Sequence, residues 1–223
     1  MKSYKIHLIR HGQTEANRLA QFAGWTDVPL SEDGRAGLLE LRDSYAYPAV
    51  DRVYCSPLLR CRETAALLYP EAPGPIYLEG LKECHFGEFE GKDVEQLKER
   101  AAFQGWMLDS VNNSPPGGEP VAAFSTRCTG AFDGIVRALL SDGITSCAVV
   151  THGGVIMNIL ASFALPKQNP LQWMVGNGMG YTVLVTPQLY LTGSVVEVFE
   201  PVPHGIPDVD TATQLRHYQM GRE

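Results

Sequence analysis

Residues 4–9 alternate apolar and polar side chains and are β-prone, which predicts a strand. The alternation stops at Arg10-His11-Gly12. From Ser31-Glu32-Asp33-Gly34 the pattern takes up a helical period over residues 31–45, with Ser31 as N-cap. Residues 51–55 predict a short strand. Ser56-Pro57 predicts a helix over residues 56–69, with serine at the N-cap and proline at the first helical position. Residues 75–78 read as another strand, and residues 93–109 as one or two helices with Gly105 as the break. Ser114-Pro115-Pro116-Gly117-Gly118 predicts a loop. The spacing of Ala123, Ala131, Ile135 and Leu139 predicts a long helix over residues 119–140. Residues 146–151 are apolar and β-branched, as in a buried parallel strand, and residues 155–164 read as a helix. Two late strands, 180–186 and 194–199, predict a hairpin. Beyond Pro201 the chain is proline-rich and then polar, and no element is predicted.

Strands alternating with helices predict an α/β fold, a three-layer α/β/α sandwich around a mostly parallel central sheet. No internal repeat or low-complexity linker divides the chain. Residues 1–223 therefore read as a single domain. Residues 201–223 form a tail that packs on the body, joins two subunits as a homodimer, or stays mobile. In such sheets ligands sit beyond the carboxyl ends of strands. Arg10-His11-Gly12 and Thr151-His152-Gly153-Gly154 both fall at such an end.

Composition narrows the function classes. A chain of 223 residues, 44% hydrophobic and 19% charged, suits a soluble globular protein with a real core. A net charge of −7 without a Lys/Arg block argues against a nucleic-acid partner and against a membrane partner. The 5 cysteines are odd in number and form no C-x-x-C pair. They fit reduced thiols in a cytoplasmic protein better than a disulfide framework or a zinc site. The first residues lack the apolar stretch of a signal peptide, and no apolar run reaches the roughly 20 residues that span a bilayer.

Four segments carry chemistry. A histidine directly after a strand, such as His11, can hold one ring nitrogen on a backbone carbonyl and leave the other free to attack. Arg10 beside it offers a fork of donors that matches phosphate oxygens, and Gly12 permits close backbone approach. In Ser56-Pro57-Leu58-Leu59-Arg60-Cys61-Arg62, Arg60 comes early in a helix and can reach the same cavity. In residues 81–91, Glu83, Glu88 and Glu90 compete for the role of a carboxylic acid that protonates a departing alkoxide. In the fourth segment, Gly153-Gly154 lets the turn after His152 hug an anion at a helix N-terminus. Each feature alone has a bland alternative: a surface Arg-His pair, a solvated helix, a run of surface charges, a buried core histidine.

Together the four resemble the histidine phosphatase superfamily, which includes the phosphoglycerate mutases. The match rests on Arg10-His11-Gly12, on Ser56-x-x-x-Arg60 with Thr64-Ala65, on Glu83-x-x-Phe86-Gly87 with Glu90-Gly91, and on His152-Gly153-Gly154. The resemblance implies that His11 becomes a phosphohistidine and that Glu83 is the proton donor. It implies that Arg10, Arg60 and His152 clamp the phosphoryl oxygens, with Gly153 beside them. Asn17 and Gly24 match positions that line the pocket, and Arg62 falls outside the phosphate contacts. No cofactor and no metal is expected. Two guanidiniums and a second imidazole, which protonation would make cationic, stand in for a metal ion.

Residues 91–151 look short for the basic insertion expected of a mutase. Pro115-Pro116-Gly117-Gly118-Glu119 resembles the phosphatase branch, including α-ribazole and broad-specificity phosphatases. The expected partner is a small phosphomonoester. Gln21, Phe22, Phe86, Trp106, Met107 and Glu119 are candidates for its leaving-group side. A mutase and a non-catalytic phospho-ligand-binding member are the alternatives.

Overall fold

The computed structural model describes residues 3–206. Among them seven strands form one sheet in the order β3-β2-β4-β1-β6-β7-β5. The strands are β1 (Tyr4–Arg10), β2 (Arg52–Cys55), β3 (Ile76–Tyr77), β4 (Ser146–Thr151), β5 (Ala164–Leu165), β6 (Gly180–Val185) and β7 (Val196–Val202). Only β6 runs against its neighbours; the other pairings are parallel. The expected mostly parallel sheet is present.

Helices cover both faces. One face packs Ile6, Leu8 and Val149 against α6 (Val121–Asp142) and α7 (Gly153–Phe163), with Tyr190 of α8 (Pro187–Gly193). The other packs Ile9, Val53 and Val150 against α2 (Glu32–Ser44) and α3 (Leu59–Leu68). A smaller cluster of Phe89, Leu97 and Phe103 joins the 87–89 turn to α4 (Val94–Leu97) and α5 (Ala101–Leu108).

Several boundaries differ from the sequence pattern. The short α1 (Glu15–Arg18) was not expected; Thr14 and Asn17 cap it reciprocally, with asparagine in place of the usual glutamate or glutamine. Ser31 caps α2 as expected, accepting from the Gly34 amide. Helix α3 starts at Leu59 rather than at Ser56-Pro57, because Ser56 faces His152 instead. The Leu59 amide donates to Asp27 Oδ1 at 2.6 Å, so a distant carboxylate serves the helix end.

The break in residues 93–109 falls at 98–100, not at Gly105. A turn there, with the Arg100 amide donating to the Leu97 carbonyl, lets Leu97 and Phe103 share one cluster. The buried stripe of α6 is Phe124, Cys128, Phe132, Ile135, Val136 and Leu139; Ala123 is exposed. Strands β6 and β7 are antiparallel, as a hairpin would be, but α8 joins them. Pro201 lies inside β7, opposite Tyr181 of β6 and past the residues that pair with the short β5, so its other edge is open. Of the expected tail, residues 207–223 lie outside the described residues.

No helix among the described residues is long and apolar enough to cross a membrane.

Candidate active site

Strands β1 and β4 are parallel neighbours, with Arg10 opposite Thr151. The residues that follow them therefore emerge side by side. The His11 amide donates to the Thr151 carbonyl at 2.9 Å. The His11 and His152 rings come to 5.1 Å, inclined by 64°. Strand β2 is the next neighbour of β4 and delivers Ser56 and the first turn of α3 to the same end.

The His11 ring is fixed by one bond. Its Nδ1 lies 2.7 Å from the Gly12 carbonyl. A carbonyl only accepts, so Nδ1 carries the proton and Nε2 is bare. Asn177 Nδ2 donates to the His11 carbonyl at 3.0 Å and to Asn17 Oδ1 at 3.3 Å, tying the His11 segment to α1. Gly12 is packed closely: a Cβ there would meet Leu38 Cδ1 at 2.5 Å and Leu30 Cδ2 at 3.2 Å.

His152 has the opposite arrangement. Arg60 Nε–H donates to its Nδ1 at 3.3 Å. The neutral ring then carries its proton on Nε2, which donates to Ser56 Oγ at 2.9 Å. Both imidazole pKa values lie well below the ordinary value. For His11, burial comes first, then Arg60 and Arg10, opposed by the Gly12 bond. For His152, burial is followed by Arg60, His11 and Arg10. Burial and the neighbouring guanidiniums thus favour the neutral form of the second imidazole over the cationic one.

Arg60 is fully buried. Its guanidinium donates to the carbonyls of Thr26 at 3.0 Å, Ala23 at 3.2 Å and Gly24 at 2.7 Å. With the His152 bond, each guanidinium nitrogen has a neutral partner and none of these is a carboxylate, so its charge adds to the positive field around His11. A side chain on Gly24 would collide with the Cys84 carbonyl at 2.2 Å, so that glycine serves the contact between two loops.

A cavity of about 910 Å³ opens at this end of the sheet. Arg10, His11, Asn17, Gln21, Phe22, Glu83, Phe86, Trp106, Glu119 and Gly153 line it. Arg60, His152 and Gly24 do not; they form a buried layer behind the His11 wall. Met107 is 61% exposed and also does not line it, and Arg62 lies over the Tyr77 ring at 5.7 Å.

The three glutamates separate cleanly. Glu83 lines the cavity and accepts from the Cys84 amide at 2.9 Å and the Gly154 amide at 3.0 Å. The second bond ties it to the first turn of α7. Glu88 faces solvent near Arg100. Glu90 accepts from the amides of Trp25, Thr26 and Phe86 and from the Thr26 hydroxyl. Burial pushes its pKa up, but these bonds outweigh it and the net shift is downward.

Sequence reasoning missed Arg127, Asn177 and Trp25. Arg127 donates to the Glu83 carbonyl at 2.8 Å, and Trp25 Nε1 to the same oxygen at 2.9 Å. Arg127 had a visible signal: it stands three residues after Phe124 and one before Cys128, a charge beside an apolar stripe. No group of three or more His, Cys, Asp or Glu side chains among the described residues is placed to hold a metal ion.

Known proteins resemble this chain in sequence and in fold. A probable phosphatase of Schizosaccharomyces pombe is 29% identical over 96% of this chain and 95% of its own length. An adenosylcobalamin/α-ribazole phosphatase of Salmonella typhimurium is 31% identical over 70% of this chain and 78% of its own. The solved α-ribazole phosphatase of Shigella flexneri shares the fold, with a TM-score of 0.74 at 23% identity over 87% of this chain and 94% of that one. Residues 6–188 match the histidine phosphatase superfamily (branch 1), and the chain belongs to that family.

Proposed function

We propose that the chain is a metal-independent phosphomonoesterase that acts on a small phosphorylated metabolite through a phosphohistidine on His11. The observation that carries this is the His11 ring: Nδ1 is held by the Gly12 carbonyl, which leaves Nε2 unprotonated on a ring that lines the cavity, with Glu83 on the same cavity. In the first step Nε2 bonds to phosphorus, the P–O bond to the leaving group breaks, and the Glu83 carboxyl gives its proton to the departing oxygen. In the second, water attacks phosphorus, the P–N bond breaks, and the Glu83 carboxylate takes the proton from water. Arg10 and Arg60 supply positive charge for the transferring group, Arg60 from behind the wall. His152 and Ser56 hold Arg60 and the floor of the site.

Water is the proposed acceptor. Among the described residues that line the cavity, Arg10 is the only Lys or Arg, while Glu83, Asp93, Glu95 and Glu119 are acidic. A mutase has to hold a second phosphate, and this lining repels one. Phe22, Phe86 and Trp106 form a wall with ring centroids 5.2–6.0 Å apart. That wall suits an apolar or flat leaving group, and an α-ribazole-type ester is the leading candidate.

Labelling with a ³²P-monoester tests the nucleophile. An acid-labile label is expected on the native chain and none on His11→Ala; a label that survives the substitution rejects His11. Release of inorganic phosphate in EDTA, with no bisphosphate formed, separates hydrolysis from mutase and metal-dependent chemistry. A phosphomonoester panel ranked by kcat/KM then addresses the substrate.

A further inference from the structure

We propose that Arg127 is a positioning residue for Glu83, holding the acid's backbone and linking it to Glu119 on the cavity wall. This rests on the reading of Glu83 as the acid. Arg127 lies on α6, outside every segment that carries the site chemistry.

All five of its N–H groups are committed. Nη1 donates to the carbonyls of Gly80 at 3.2 Å and Lys82 at 2.6 Å. Nη2 donates to the Glu83 carbonyl at 2.8 Å and to Glu119 Oε2 at 2.7 Å, and Nε donates to Glu119 Oε1 at 2.7 Å. The bridge to Glu119 is thus bidentate and largely out of solvent, with side chains 21% and 12% exposed. Such forks fix orientation as well as distance. One guanidinium therefore sets the path of residues 80–83.

The Glu83 carboxylate is held separately, by the Cys84 and Gly154 amides. Its side chain reaches the helix α7 amide from a backbone whose carbonyl Arg127 holds together with Trp25 Nε1. Glu119 in turn lines the cavity, and its Oε2 lies 3.4 Å from the His85 amide, two residues beyond Glu83. A leaving group that presses on Glu119 therefore bears on the segment that carries the acid.

The test compares Glu83→Gln, Arg127→Met, Arg127→Lys and Glu119→Gln on p-nitrophenyl phosphate and on a primary alkyl phosphate, with thermal unfolding to verify folding. Glu83→Gln is expected to slow the alkyl ester by about 10²–10⁴-fold and the aryl ester far less. Arg127→Met is expected to copy that split, on the order of 10²-fold on the alkyl ester, and to add little on top of Glu83→Gln. Arg127→Lys should recover part of the alkyl-ester rate.

Equal slowing of both esters by a folded Arg127→Met, or no slowing, overturns the inference and leaves Glu83 in place. Absence of a split in Glu83→Gln itself rejects the acid and the inference together. If Arg127→Met does not fold, Arg127→Lys and Glu119→Gln decide: a split in either sustains the inference, and equal slowing of both esters, or none, in both variants ends it.

Discussion

His11 and His152 stand 5.1 Å apart yet carry their protons on opposite ring nitrogens. His11 donates from Nδ1 to a carbonyl, whereas His152 accepts at Nδ1 from Arg60 and donates from Nε2 to Ser56. The difference follows from what each neighbour can do: a carbonyl only accepts and a guanidinium only donates. Two adjacent imidazoles thus sit in different settings, one bare at Nε2 on a ring that lines the cavity and one bracing a buried cation.

Nitrogen-detected NMR of the histidine rings checks this assignment. At pH 6.5, the ordinary midpoint, both rings are expected to be neutral, His11 as the Nδ1–H tautomer and His152 as the Nε2–H tautomer. A cationic His152 at that pH contradicts the burial and the Arg60 contact that lower its pKa.

Gly154 and Gly153 should respond differently to alanine. A Cβ on Gly154 would lie 2.4 Å from Glu83 Oε1, whereas one on Gly153 would lie 3.5 Å from Arg10 Nε, an ordinary contact. Gly154→Ala is expected to lower kcat by on the order of 10²-fold through displacement of the acid. Gly153→Ala should change it far less. Similar kinetics for the two variants would sink this account of the pair.

Ser56→Ala should destabilise the fold. Ser56 and His152 are both fully buried, and the substitution leaves the His152 Nε2–H with nothing better than the Cys61 thiol, a weak acceptor 3.5 Å away. A buried donor without a partner costs about 1–3 kcal/mol. Urea unfolding of the folded variant measures the loss; an unchanged midpoint counts against the bond.

Acid should weaken the fold through buried neutral histidines. Burial, then His204 and Lys5, lowers the His7 pKa to about 4. The folded state resists a proton that the unfolded chain takes up near 6.5, so this stabilisation is complete above pH 6.5 and is lost as pH falls toward 4. A shift of that size corresponds to roughly 3 kcal/mol. His11 and His152 act in the same direction. Denaturant midpoints between pH 7.5 and 4.5 should fall more gently in His7→Gln; equal slopes in both proteins would rule His7 out.

Much of this was legible in the order of residues. Period-two and helical patterns located the strands, and the His-Gly strings marked strand ends because a strand must stop where its alternation stops. Arg10, His11 and Glu83 were readable as candidates because phosphoryl transfer calls for those side-chain types, and all three line one cavity. The break at residues 98–100 was not, since burial of Leu97 and Phe103 in one cluster outweighed the helix-breaking tendency of Gly105. Nor was the use of Ser56, whose hydroxyl left its expected cap for His152.

The sequence by itself determined the fold class, the family and which residues could do chemistry. Tertiary structure decided who touches the cavity. It placed Glu83, and not Glu88 or Glu90, on the wall, and it set Arg60 and His152 behind His11. The physical reason is distance along the chain. Arg60 meets the carbonyls of the 23–26 loop, and Glu83 meets Arg127 and Gly154, only because the sheet order brings separate strand ends together. Local propensity fixes what His11 can be, but parallel pairing of β1 with β4 fixes what stands beside it.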